Sequence, residues 1–285
     1  MTSATVRLSA FGDEIADDLD TQLALLRELE IGALELRGVW GKNVLDLTDA
    51  EVARIGQMCA AAQVEVSALG SPVGKSPLSR PETVELGNLR RIFEIAQALG
   101  VARVRVFSFY PEETPPAPAL HQAAARLARM AGMARDAGIT LLLENEKGIV
   151  GDTIARCAAL LDAVPTLRFA WDPANFVQVG ELAQVADGWT RLGSRVGHVH
   201  VKDLDAATGA VRPAGEGDGQ VVALLEHLAA SGYQGYVALE PHLAVAGHSS
   251  GFSGPEGMRV AAAALRRCLD QAGLAETRPA WAKPN

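Results

Sequence analysis

Four short apolar runs end in residues able to bind a metal ion or move a proton: Glu144 in TLLLE, Asp172 in LRFAWD, His200 in GHVHVKD and Glu240 in VALEPH. Three carboxylates and one imidazole form an oxygen-rich donor set, suited to Mn2+, Mg2+ or Co2+ rather than to a cysteine-rich structural zinc site. Without a cation, three acids in one place repel one another and at least one must protonate. Singly, each has an ordinary reading as a surface residue or a helix-cap partner. Their joint occurrence at equivalent points of successive runs points to one site.

Side chains alternate along a strand, so Glu144 shares a direction with Leu142 and Glu146, His200 with His198 and Lys202, and Glu240 with Ala238 and His242. Lys202 is thereby placed to neutralise a substrate oxyanion, or else to pair with Asp203 or Glu216. His242 is a further polar group for substrate beside Glu240. Glu35, near the end of an earlier run, reads either as another residue of the site or as part of a surface network with Arg37. Phe11 and Trp40 are aromatic wall or core.

A repeating unit must position these groups: an amphipathic stretch, a glycine, then a short aliphatic run. Gly32, Gly100, Gly138, Gly193 and Gly232 stand where a helix needs a left-handed cap. Strands are predicted near 6–11, 33–37, 65–69, 103–107, 140–144, 167–171, 197–201 and 235–240. Helices fill 18–30, 49–62, 81–99, 118–137, 153–164, 181–192, 221–231 and 255–272, with Thr48 and Asp152 as N-caps and Pro255 in a first turn. Eight strands alternating with eight helices predict an α/β fold, a single (β/α)8 TIM barrel over residues 1–274 with a tail at 275–285. Trp281 in the tail hints at docking. The rival is a doubly wound sheet, but no GxGxxG follows the first strand and GxxxxGKS/T is absent. A closed barrel also gathers the polar strand ends around one axis.

Composition narrows the function. The 285 residues are 48% hydrophobic and 21% charged, which excludes disorder over most of the chain. The balance of 26 Lys and Arg against 34 Asp and Glu, a formal charge of −8, disfavours nucleic acid as a partner. No apolar run is long enough for a membrane span, and MTSATVRLSAFGDE lacks a signal peptide's apolar stretch, so a cytoplasmic protein is expected. Cys59, Cys157 and Cys268 are too scattered for a CxxC pair and read as buried hydrophobes.

LLLENE, FAWDPANF, GHVHVKD and ALEPH together resemble the metal-site segments of the xylose-isomerase-like sugar (phosphate) isomerase/epimerase superfamily, over about residues 6–272. The resemblance implies Glu144, Asp172, His200 and Glu240 as ligands of a divalent ion, most simply Mn2+, with Mg2+, Co2+ and Zn2+ as alternatives. It implies Glu144 and Glu240 as the acid/base pair as well, moving a proton next to a carbonyl through a metal-stabilised enediolate. The substrate would be a carbohydrate: a sugar, keto-sugar or sugar-acid derivative; a homo-oligomer is compatible with the resemblance. Arg212, in VRPAGEGDG, resembles the superfamily's substrate-facing arginine, and His198 would sit one layer deeper as a hydrogen-bonded barrel residue. Asn175 in DPAN and Val150 replace polar residues of the ketose 3-epimerases, which argues against a free-ketose 3-epimerase; Glu146 offers a substitute contact.

A lyase or dehydratase acting on a 3-keto sugar or a dehydroshikimate-like acid needs the same site. An abasic-site endonuclease would need more histidine and a cationic groove, and a non-catalytic sugar-binding barrel would need no metal. HSSGFSGPEG, 248–257, reads as a glycine-rich turn, with phosphate binding at the helix start as the alternative.

Overall fold

Nearly unbroken apolar runs build strands buried on both faces, and the direction of each side chain along them settles what the strand touches. In the computed structural model, which describes residues 4–243 and 253–282, the barrel strands are β1 (Thr5–Phe11), β2 (Ala33–Leu36), β3 (Glu65–Leu69), β4 (Arg103–Val106), β5 (Thr140–Glu144), β6 (Arg168–Trp171), β7 (Val196–Val201) and β8 (Tyr236–Leu239). All neighbours pair in parallel, and β1 pairs with β8 from Arg7 opposite Tyr236 to Ala10 opposite Leu239, closing the ring. The expected TIM barrel is therefore present.

The helices are α1 (Leu19–Glu28), α2 (Asp49–Ala62), α3 (Glu82–Ala98), α4 (Pro116–Asp136), α5 (Ile154–Ala163), α6 (Pro173–Val177), α7 (Gln184–Leu192), α8 (Val221–Ser231) and α9 (Gly254–Ala272). Leu141 and Leu143 of β5 face outward into the large apolar core shared with Leu127 of α4 and Leu160 of α5, while Leu142 faces inward with Ala68 and Ala170. The barrel floor is polar: the guanidinium groups of Arg7 and Arg103 lie 4.2 and 5.2 Å from the centre of the Tyr236 ring, whose hydroxyl donates to Glu65. Ala275–Glu276 adds a short parallel strand to the start of β1, and Trp281 donates to the Gln63 carbonyl beneath it. Among the described residues no helix is long and apolar enough to cross a membrane.

Local signals held unevenly. Thr48 caps α2 in a reciprocal box with Glu51, and Pro255 lies in the first turn of α9. At α5 the cap is Thr153, one residue beyond the expected Asp152, because Asp152 spends its carboxylate on the Arg156 side chain. Gly100, Gly138 and Gly232 are left-handed as expected, but after α1 that conformation falls on Glu30 rather than Gly32, and Gly193 continues a helical turn with φ −55°. Helix α6, directly after Asp172, was not predicted.

Candidate active site

The carboxyl ends of the strands carry two stacked polar layers. In the lower one, Glu35 of β2 and His198 of β7 are fully buried and joined by a 2.7 Å hydrogen bond. In the upper one, His200 Nδ1 lies 2.6 Å from Glu144 Oε1 and 3.8 Å from Glu240 Oε2, while its Nε2 lies 3.0 Å from Glu35 Oε1. Glu35 is thus no surface partner of Arg37. Positions 35 and 37 share a face but lie in successive layers, so each finds its partners across the barrel.

Two arginines, Arg105 buried and Arg37 half-buried, brace the acids. Arg37 pairs with Glu240 Oε1 at 2.5 Å, Asp13 at 2.7 Å and Glu14 at 3.0 Å. Arg105 pairs with Glu144 Oε2 at 3.2 Å and donates to the Gly70 carbonyl at 3.0 Å. Both cations approach the Phe11 ring, at 4.5 and 5.4 Å, and Phe11 meets His200 edge-on at 4.9 Å. Phe11 is therefore core beneath the site. The sequence reading places Arg37 only in a surface network and does not reach Arg105. The signal was the RVRV alternation of β4, which turns Arg105 to the side opposite Val104 and Val106.

Charge follows from these contacts. Burial alone would raise the Glu144 and Glu240 carboxyls, but His200 and Arg105 lower the former, and Lys202 and Arg37 hold the latter well below the usual carboxylate range. Burial pushes Asp172 up to about 7, against the opposing pull of Lys202. Burial would lower the His200 imidazole, yet Glu144 and Glu35 keep it well above its ordinary value. Burial takes His242 down to about 4.

The residues fit a divalent ion. Donor atoms of Glu144, His200 and Glu240 all lie within 4.8 Å of one another. Glu240 Oε2 is buried without a hydrogen-bond partner, a costly state that a cation would relieve. Asp172 stands beside this trio rather than in it. Its Oδ2 pairs with Lys202 Nζ at 2.8 Å and its Oδ1 accepts from the Asn175 amide, capping α6. Lys202 therefore pairs with neither Asp203 nor Glu216.

A cavity of about 430 Å³ opens above the trio, lined by Lys75, Arg105, Glu144, Lys202, Glu240 and His242. Glu146 and Asn175 also line it, but Glu146 pairs with Lys75 at 2.6 Å and the Asn175 amide group donates to the Asn145 carbonyl. Arg212 is not brought there. It lies exposed on a hairpin of Asp203–Leu204 and Val211–Arg212, paired with Asp205 at 3.2 Å. Trp40 also lies away from the cavity, under the Arg54 guanidinium at 4.7 Å.

The glycines of GEGDG close around Asp203, whose carboxylate accepts from the amides of Gly215, Gly217 and Gly219 at 2.8, 3.1 and 2.9 Å and from its neighbour Leu204. A Cβ on Gly217 would meet Asp203 Oδ1 at 2.4 Å. Asp203→Ala is expected to cost about 3 kcal/mol, since hydrogen bonds to a charged acceptor are each worth roughly 1.5–3 kcal/mol. Limited proteolysis should then cut between residues 205 and 219 where the native protein resists.

Glu14 ties the chain after β8 to the site. It accepts from the His242 amide at 3.2 Å and from Ser253 Oγ at 2.9 Å, and Ser253 also accepts from the Leu243 amide. Residues 248–252 of the predicted glycine-rich turn, where phosphate binding is the alternative reading, lie outside the described residues, and the Ser253 hydroxyl donates to Glu14. Burial raises the Glu14 carboxyl to about 7 despite Arg37. A carboxyl raised on folding adds stability that is complete below its unfolded value near 4.5 and lost as pH rises through 7. Denaturation from pH 4.5 to 8 should therefore show a decline about 3 kcal/mol larger in the native protein than in Glu14→Gln, which keeps the decline due to Asp172; parallel profiles for the two proteins would refute the assignment.

No curated protein matches the sequence. Solved structures do. A D-tagatose 3-epimerase-like protein superposes with a TM-score of 0.74 at 20% identity, covering 94% of this chain and 98% of that one. The probable 3-DHS dehydratase AsbF from Bacillus anthracis gives 0.72 at 15% identity, covering 92% and 99%. IOLI protein with a binding zinc atom gives 0.73 at 15% identity, covering 94% and 98%. At such identities the likeness concerns the fold. Sequence supplies the closer tie: the family model for the xylose isomerase-like TIM barrel matches residues 23–272, the span that holds β2 to β8 and every residue of the acid and histidine trio, and the chain belongs to that family.

Proposed function

We propose that the chain is a divalent-metal-dependent isomerase or epimerase of a sugar, keto-sugar or sugar-acid derivative. The observation that carries this reading is the pair of ionised glutamates, Glu144 and Glu240, flanking His200 at the cavity floor with one Glu240 oxygen unpartnered. Glu144, His200 and Glu240 would hold the ion, and Asp172 would complete the set from beside Lys202. When bound, the ion supplies electrostatic stabilisation for charge that develops on adjacent substrate oxygens.

The chain's own groups do the rest. Glu144 and Glu240 reach the cavity from β5 and from the end of β8, three strands apart, so they address a bound substrate from different sides. One accepts the proton from carbon next to the carbonyl; the other returns a proton to the same carbon or its neighbour. Lys202, kept protonated by Asp172, Glu240 and Glu144 against the effect of burial, donates to a substrate oxygen. Arg105 and Arg37 keep Glu144 and Glu240 ionised and in place.

A lyase reading is favoured by one observation, the buried Lys202 ammonium on the cavity wall, which suits a departing oxygen. Incubation in D2O with a panel of keto-sugars and sugar acids, after metal analysis of protein purified without chelator, separates the two. Bound or activating metal with deuterium entering recovered substrate or its isomer supports isomerisation or epimerisation. Loss of water without exchange supports the lyase. A protein that neither holds nor responds to Mn2+, Mg2+, Co2+ or Zn2+ would sink both.

A further inference from the structure

Glu35 is a buried acid that the proton transfer does not use. It is 0% exposed, and its two oxygens are divided between two imidazoles: Oε2 lies 2.7 Å from His198 Nε2 and Oε1 lies 3.0 Å from His200 Nε2. The carboxylate thus lies between two imidazole nitrogens and accepts from both, which places a hydrogen of each ring on Nε2. The remaining nitrogen of His200, Nδ1, is the one facing Glu144 and Glu240. Two edge contacts fix the plane of the ring, from Phe11 at 4.9 Å and from His198 at 5.1 Å and 84°.

We infer that Glu35 is a positioning residue: it sets the tautomer and orientation of His200 so that Nδ1, and not Nε2, is the nitrogen offered to a divalent ion. His198 is the second tether, fixing the Glu35 oxygen that His200 does not use. This rests on the metal site proposed above but on no particular substrate. The arrangement is carboxylate, imidazole, then ion, in which the outer acid makes the ring a better and better-aimed donor. Glutamine at position 35 keeps the shape, yet its amide group turns donors toward a ring that must itself donate. Either His198 or His200 then has to reverse its tautomer or swing away.

Titration calorimetry with Mn2+ on the whole chain, wild type against Glu35→Gln, tests the inference. The expected result is a dissociation constant raised about 10–100-fold, with circular dichroism and oligomeric state unchanged. A second measurement needs no variant. Nitrogen-15 spectra of the histidines in the Zn2+-loaded wild type should show His200 protonated on Nε2 and lacking hydrogen on Nδ1. Mn2+ affinity in Glu35→Gln within about twofold of wild type, or a hydrogen on His200 Nδ1 in the loaded protein, would overturn the tether and leave the metal site standing. No Mn2+ binding by the wild type would overturn the metal reading itself and the tether with it.

Discussion

Glutamine in place of Glu240 should lower turnover by about 10²–10⁴-fold, the usual worth of a positioned acid or base, and weaken metal binding in parallel. The side chain keeps its volume, so its place under Arg37 at 2.5 Å and beside His242 at 3.5 Å is not vacated. What is lost is one negative charge and the unpartnered Oε2 that faces His200 Nδ1 at 3.8 Å. Stability should fall less than turnover: ionised Glu240, held well below the usual carboxylate range, adds to folding at neutral pH, but Arg37 keeps its pairs with Asp13 and Glu14. Deuterium exchange rates on the substrate found active, Mn2+ titration and thermal melts on the same samples read all three quantities. Turnover within tenfold of wild type would remove Glu240 from the proton transfer.

Arg105→Met should do the opposite, costing stability first. Arg105 is 5% exposed, stands 3.2 Å from Glu144 Oε2, and its guanidinium lies 4.7 Å from the centre of the Phe107 ring. Methionine replaces the stem but leaves the Gly70 and Ser71 carbonyls without their donor and Glu144 without its cation. Breaking one side of a buried pair typically costs about 3–5 kcal/mol, which for a chain of this size lowers the melting temperature on the order of 10 °C. The charge argument makes a sharper demand. Adding Glu144→Gln to Arg105→Met should recover part of the loss, since the stranded carboxylate is then gone. Strictly additive losses, or a single-variant cost below about 1 kcal/mol, would mean that Arg105 is spectator packing.

The fold was legible because its evidence is local. A strand buried on both faces shows itself as TLLLE or RFAW, and the helix between two strands shows its period whatever lies across the barrel. The chemical types at the strand ends were legible for the same reason. The cap of α5 is less legible, because Asp152 and Thr153 are both able caps and the choice turns on Asp152 pairing with the Arg156 side chain.

Partners were another matter. Lys202 was weighed against Asp203 and Glu216, its neighbours in sequence or charge, but its ion pair is Asp172, on the adjoining strand end. Arg37 and Glu35 were weighed as a pair because they stand two apart, although successive layers separate them. Arg105 is tolerable inside only because Glu144 converges on it from β5, a contact that the short strand RVRV does not announce.

The sequence by itself determined the alternation of strand and helix and the set of acids, histidine and lysine delivered to one end of the barrel. The tertiary structure alone decided which carboxylate meets which cation, which nitrogen of His200 faces the trio, and that Arg212 stays outside. The reason is that lateral neighbours in a closed barrel are set by strand register around the whole ring, a property that no single segment carries.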